Sequence, residues 1–247
     1  MSAGAQSRLR SAGRGPLLAL VGLVVAGLPV AATAQAYQCE APARISVPQA
    51  KQDGPTRQLP VTGYTMALSW SPEFCRTRQR SGNHAAQCSG RNGRFGFIVH
   101  GLWPEGRSTW PQYCSTAQRP ASATVAKNLC MMPSASLAAR QWAKHGSCMT
   151  RKPAAYFKVT NILWSSYRWP DFDRISREEG LTAGRIREAF ASANKGWEPN
   201  MVGVKLNRRG WLEELRLCYG KRFRPKVCPS RTFGPRDSVK AKIWRGM

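Results

Sequence analysis

The chain is poor in two kinds of side chain. Of 247 residues only three are histidines, His84, His100 and His145, and only 13 are acidic against 38 lysines and arginines. The shortage of acids leaves a formal net charge of +25 at pH 7, which favours a polyanionic partner: long-range attraction to phosphate raises capture rates without specifying any sequence. The plainer use of such a surface is solubility. No two of the eight cysteines lie closer than Cys218 and Cys228, so the closely paired ligands of a zinc site are missing. No stretch after residue 36 is apolar enough to span a bilayer, no internal repeat is present, and no adjacent twin arginines mark the amino terminus.

What stands at the amino terminus is Arg8, Arg10 and Arg14, an apolar run from Leu17 to Val30, and the small-residue stretch AATAQA. This is the pattern of a secretory signal over residues 1–36, too short for a membrane anchor and followed by no stop-transfer segment. Its removal lowers the net charge by three and leaves residues 37–247, a length that suits one domain. The chain is therefore expected to be secreted or periplasmic, by the general export route. An even set of cysteines in an exported chain predicts disulfides.

Residues 64–70, 94–101 and 211–218 read as strands, the second as a central strand covered on both faces, with Asn207 to Gly210 turning into the third. Residues 153–169 read as a helix with Phe157, Ile162 and Trp164 in its apolar interior, and 181–194 as a helix capped by Thr182. Two loop-like segments, 40–62 and 221–247, pack on the surface. Strands and helices mix without strict alternation, which predicts an α+β fold.

A third helix, "SLAARQWAKHGSC" at 136–148, has Ser134 or Ser136 as its cap and Gly146 where a left-handed residue is wanted. On it Gln141, Lys144 and His145 share one face. Cleavage of an RNA phosphodiester needs a base for the 2′-hydroxyl, an acid for the departing 5′-oxygen and a cation for the charge on phosphorus. Two histidines, which populate both protonation states near neutral pH, and a lysine suit these tasks without a metal or cofactor. His100, at the end of "FIVHGLWP" (97–104), joins His145 and Lys144 as candidates; His84, in a polar stretch, reads as a surface residue.

"FIVHGLWP" together with "QWAKHGSC" (141–148) closely resembles the two active-site segments of the ribonuclease T2 family, and "LSWSPEFC" (68–75) resembles a third. The resemblance implies a single α+β domain, centred on an antiparallel sheet flanked by helices, that cleaves single-stranded RNA through a 2′,3′-cyclic phosphate; a monomer is expected, although the residues leave the oligomeric state open. It implies His145 as general base, His100 as general acid and Lys144 as the cation at phosphorus. Trp103 becomes a wall for a base, or else an ordinary core residue. Glu105 sits where an acid touches a base in some members, or is an exposed turn carboxylate. Pro133 and Ser134 fall at the second base pocket. The resemblance also implies the pairs Cys75–Cys88, Cys218–Cys228 and Cys114–Cys148, leaving Cys39 with Cys130.

This chain departs from the family pattern at Arg140 and Gln141, where Glu usually precedes the tryptophan. Gln141 is isosteric but neutral, so it holds neither His145 nor Lys144 by charge, and weakened or retuned catalysis is expected. Arg140 is a phosphate-binding cation or a solvated helix residue. Two other classes of function use the same charge: an RNA-binding protein that has lost catalysis, and a cationic protein acting on anionic membranes. Keeping the trio of His100, His145 and Lys144 argues against the first, because binding alone does not require it; the second predicts leakage of anionic vesicles unaffected by changes at His100.

Overall fold

A computed structural model describes Met1 and residues 36–37, 39–42, 44–115 and 118–246. The chain gathers into two units, Met1–Ala31 and Ala32–Met247; the architecture below is that of the second. The signal segment expected over 1–36 lies, apart from Met1 and Ala36, outside the described residues.

Among the described residues six strands form two antiparallel sheets: β1 (Ala36–Tyr37), β2 (Gly63–Trp70), β3 (Arg94–Phe95), β4 (Phe97–Glu105), β5 (Val202–Leu206) and β6 (Leu212–Gly220). β1 pairs with β3, and the main sheet has the order β4-β2-β6-β5. The α-helices among the described residues are α1 (Ser71–Cys75), α2 (Ala85–Cys88), α3 (Ser122–Ala126), α4 (Ala135–Lys144), α5 (Pro153–Ser166), α6 (Phe172–Ile175), α7 (Ala183–Ala193) and α8 (Ser230–Phe233). The fold is α+β, as expected.

The run at 94–101 is not one central strand. It breaks at Gly96, and β4 is an edge strand of the main sheet. Its apolar character has another cause: Phe97, Ile98 and Val99 are all buried, and Val99 N–H donates to the Met131 carbonyl at 2.8 Å, so a loop covers the free edge. The central strands are β2 and β6. In the turn between β5 and β6, Asn207 Oδ1 accepts from Arg209 and Trp211 N–H, and Gly210 takes φ +80°.

α7 begins as expected, with Thr182 accepting from Arg185 N–H and Ile186 and Phe190 fully buried. In α5 the core stripe is Tyr156, Phe157, Thr160 and Trp164, whereas Ile162 points outward and is 57% exposed. A helix buries i, i+4 and i+8, and Ile162 lies off that row.

All four expected disulfides are formed: Cys39–Cys130, Cys75–Cys88, Cys114–Cys148 and Cys218–Cys228. Each restricts the unfolded chain by roughly 2–4 kcal/mol. Cys114–Cys148 also ties the loop carrying Tyr113 to the end of α4, where Tyr113 N–H donates to the Lys144 carbonyl at 2.9 Å.

Candidate active site

The register of β2 against β4 runs Ala67 opposite Gly101 and then Leu68 opposite Val99. His100 is the extra residue between them. A bulge of this kind bends the strand and re-aims one side chain, and here it turns the imidazole towards β6. On that strand Glu214, opposite Ser69 of β2, is almost fully buried. His100 Nδ1 lies 2.7 Å from Glu214 Oε1, while Arg216 Nε and Nη2 each donate to Oε2 at 3.1 Å. Burial works against ionising Glu214, but the hydrogen bond and charge of His100, with Arg216 and Lys205, outweigh it and hold the carboxyl at about 2. An ionised carboxylate only accepts, so Nδ1 is the donor and Nε2 is left for the cleft.

α4 supplies the second half. Ser134 is its cap, with Oγ accepting from Leu137 N–H, and the helix ends at Lys144 with His145 in the C-cap position. Gly146 does not take the left-handed conformation expected of it; it opens a short 3₁₀ turn over residues 146–148. Its lack of a side chain serves packing instead, since a Cβ would stand 2.6 Å from Trp142 and 2.8 Å from Tyr156.

His145 is buried, and its Nδ1 has no hydrogen-bond partner, so Nε2 is the nitrogen able to meet a substrate. Burial first, then the charges of Lys144 and His100, lower its pKa from 6.5 to about 3; Asp53 opposes the shift. Lys144 Nζ donates to Asp53 Oδ1 at 2.7 Å, and the Tyr113 hydroxyl donates to the same oxygen at 2.6 Å. These two bonds hold the Asp53 carboxyl below its ordinary range.

Trp103 joins the halves. Its ring lies edge-on to His100 at 5.2 Å and tilted to His145 at 5.6 Å, and its Nε1 donates to Gln141 Oε1 at 2.8 Å. The glycine after His100 permits that bond, because a methyl group at Gly101 would collide with Gln141 Oε1 and Trp103 Nε1. Gly101→Ala is therefore expected to displace the indole and lower turnover by up to about 10²-fold, the scale of an ångström-level misplacement, with little change in melting temperature. Equal turnover on a dinucleotide would refute that role.

The cleft between the two halves has a volume of about 430 Å³ and contains His100, Trp103, Gln141, Lys144 and His145. Arg140, Arg216 and Arg231 add cations to its wall. Glu105 also lines it but is not an exposed turn carboxylate: its side chain is 12% exposed and accepts from Thr65 Oγ1 at 2.8 Å and Arg231 Nη2 at 2.9 Å. A longer groove of about 1240 Å³ continues past His100 and is lined by Ser134 and Arg140 as well. Pro133 is buried and lines neither cavity. His84 is half-buried in the groove wall, edge-on to Phe74. Among the described residues no three of His, Cys, Asp or Glu gather as a metal site.

Four charged residues of this site escaped the sequence: Asp53, Glu214, Arg216 and Arg231. Glu214 was visible as an acid inside an apolar strand, on the same face as Arg216. Asp53 lies in a loop with no periodicity, 91 positions from its lysine.

The fold and cleft define a class: a disulfide-bonded α+β domain that sets two imidazoles in unequal environments beside a lysine. The chain belongs to the ribonuclease T2 family, which its residues 62–228 match. It is 39% identical over 164 residues to a ribonuclease of Aeromonas hydrophila, covering 64% of this chain and 71% of that one. It is 30% identical over 194 residues to a probable ribonuclease of Haemophilus influenzae, covering 72% of this chain and 65% of that one, so the match spans slightly less than two thirds of that relative. Among solved structures, an RNase-related protein from Calystegia sepium is similar in fold, with a TM-score of 0.56 at 24% identity over 74% of this chain and 97% of that one.

Proposed function

We propose that this chain is an endoribonuclease that cleaves single-stranded RNA by acid–base transphosphorylation and needs no metal. One observation carries the reading: two imidazoles at one tryptophan stand in opposite environments. His145 is desolvated beside cations and stays neutral, the state a base requires, while His100 donates its Nδ1–H to an ionised carboxylate and turns Nε2 to the cleft, the arrangement of an oriented proton donor.

In the first step His145 Nε2 takes the 2′-hydroxyl proton as the 2′-oxygen attacks phosphorus. Lys144 neutralises the charge gathering on the non-bridging oxygens. His100 Nε2 protonates the 5′-oxygen as its bond to phosphorus breaks, leaving a 2′,3′-cyclic phosphate. In the second step the roles reverse: His100 takes a proton from water, the hydroxide opens the ring, and His145 returns a proton to the 2′-oxygen, giving a 3′-phosphate. Trp103 offers a face for the upstream base, and stacking of this kind contributes roughly 1–3 kcal/mol per base. The same reading includes export of residues 37–247 after loss of a signal peptide and action as a periplasmic or secreted monomer.

The neutral Gln141 favours the alternative of an RNA-binding protein without catalysis. Two observations count against it: Asp53 holds Lys144 by charge and Glu214 holds His100, so neither depends on residue 141. Gln141 instead anchors Trp103, which Glu would do equally well.

Its neutrality bears on pH. With His145 lowered to about 3, the base is deprotonated well into the acid range, and the acid limb of kcat/KM is expected far below pH 6.5. Gln141→Glu places a carboxylate one helical turn away, favours the imidazolium and moves that limb upward by about one unit or more. A profile of kcat/KM on a dinucleotide for both proteins measures this, and coincident limbs would contradict it.

A further inference from the structure

A second cleft lies away from the histidine pair, and half of its lining comes from the chain beyond residue 228, where the family match ends. The carboxy-terminal segment is pinned across the β5–β6 turn: Leu212 N–H donates to the Lys242 carbonyl and Lys242 N–H to the Gly210 carbonyl, both at 2.8 Å. This sets Trp244 edge-on to Trp211 with centroids 5.9 Å apart, both rings half-exposed. Arg76 lies 4.4 Å from the Trp244 centroid and 5.0 Å from that of Trp211.

The cleft, about 740 Å³, is lined by the exposed cations Arg209, Lys240, Lys242 and Arg245. Its one acid, Glu178, already pairs with Arg174 and Arg185, and Asp173, 4.0 Å from Arg245, is held by Arg177. Packing of the tail accounts for the Arg76–indole contacts and for Lys242, whose Nζ lies 5.0 Å from the Trp211 centroid, but not for the exposed Arg209, Lys240 and Arg245 around one neutralised acid. The cleft is also not isolated. Arg209 lines both it and the long groove, and His100 lines both the groove and the histidine cleft.

We propose that this cleft is a second RNA-binding site, which holds the single strand on the 3′ side of the cut. The proposal rests on the endoribonuclease reading, which gives it a direction. His100 protonates the leaving 5′-oxygen, and that oxygen belongs to the downstream nucleotide. A strand passing His100 enters the groove, meets Arg76 and Arg209, and reaches two half-exposed indoles flanked by cations for its phosphates, the combination that binds single strands without base specificity.

The test uses oligonucleotides with one ribonucleotide in an otherwise deoxy strand, extended by about ten nucleotides on the 3′ or the 5′ side, within the span of known single-strand sites. The 3′ extension is expected to raise kcat/KM, chiefly through KM. Trp244→Ala and the double variant Lys242→Ser with Arg245→Ser are expected to lose about tenfold of that gain, the effect of one stacked base, while cutting a dinucleotide at the original rate. The double variant changes only exposed side chains, which separates lost binding from lost folding. Unchanged kinetics, an equal loss on the dinucleotide, or a gain only from the 5′ extension would overturn the proposal. If the native chain cuts nothing, the endoribonuclease reading fails, and anisotropy with a 2′-O-methyl strand still reads the site: tenfold weaker binding by the variants supports it. Unchanged binding, or a loss confined to anionic vesicles, overturns it.

Discussion

His100→Ala and His145→Ala are each expected to lower kcat on a dinucleotide by about 10²–10⁴-fold, the contribution of a positioned proton donor or acceptor, with KM nearly unchanged. The two losses do not multiply. Base and acid act in one transition state, so the double variant falls little further than either single one. Without His145 the acid limb that it sets is also expected to disappear. His145 is buried, so its removal is checked by melting temperature at pH 7, where the neutral ring carries no charge to lose. Retention of a tenth or more of native kcat by either variant would remove that histidine from the mechanism.

Glu214→Gln is expected to cost about 10²-fold in kcat, although Glu214 itself sits behind His100 and meets no substrate. The carboxylate fixes Nδ1 as the donor and balances the imidazolium; an amide balances nothing and can present its NH₂ to the ring, favouring the wrong tautomer. The loss is expected in kcat, with KM and melting temperature at pH 7 changed little. A merely structural role would instead lower stability and disturb KM together with kcat. The linkage has a sign in stability too. Glu214 is lowered from 4.5 to about 2, so its contribution is complete above pH 4.5 and is lost as pH falls towards 2. The native chain therefore loses stability over that window more steeply than the variant.

The histidine pair and Lys144 were legible because they lie in short segments whose composition is unusual: a histidine closing an apolar run, and a lysine–histidine step at the end of a helix face. The three strands around the site were legible for the ordinary reason that apolar and β-branched residues cluster in them. What aims His100 was not. The bulge leaves no trace in "FIVHGLWP", because an extra residue shows only against a partner strand, and pairing of β2 with β4 and β6 is a long-range fact. The burial of Glu105 was hidden likewise, since Arg231 lies 126 positions away. Gly146 misled because a glycine after a helix is commonly left-handed, whereas here the rings of Trp142 and Tyr156 require the space.

The loss of charge at residue 141 also reads differently in three dimensions. In the sequence it removes the one acid near His145 and Lys144. In the fold, Asp53 arrives from the loop at 40–62 and bonds Lys144, so the neutral Gln141 leaves the lysine held and the buried histidine unprotonated. On the proposed reading, residue 141 bears on the working pH more than on the presence of catalysis.

The most direct test of the two-histidine account is to identify the ends produced when the oxidised chain acts on a dinucleoside monophosphate in excess EDTA at pH 5. The account predicts a 5′-hydroxyl leaving group and a 2′,3′-cyclic phosphate that appears first and then opens to the 3′-phosphate. Products bearing a 5′-phosphate, or no cutting while RNA still binds, would contradict it.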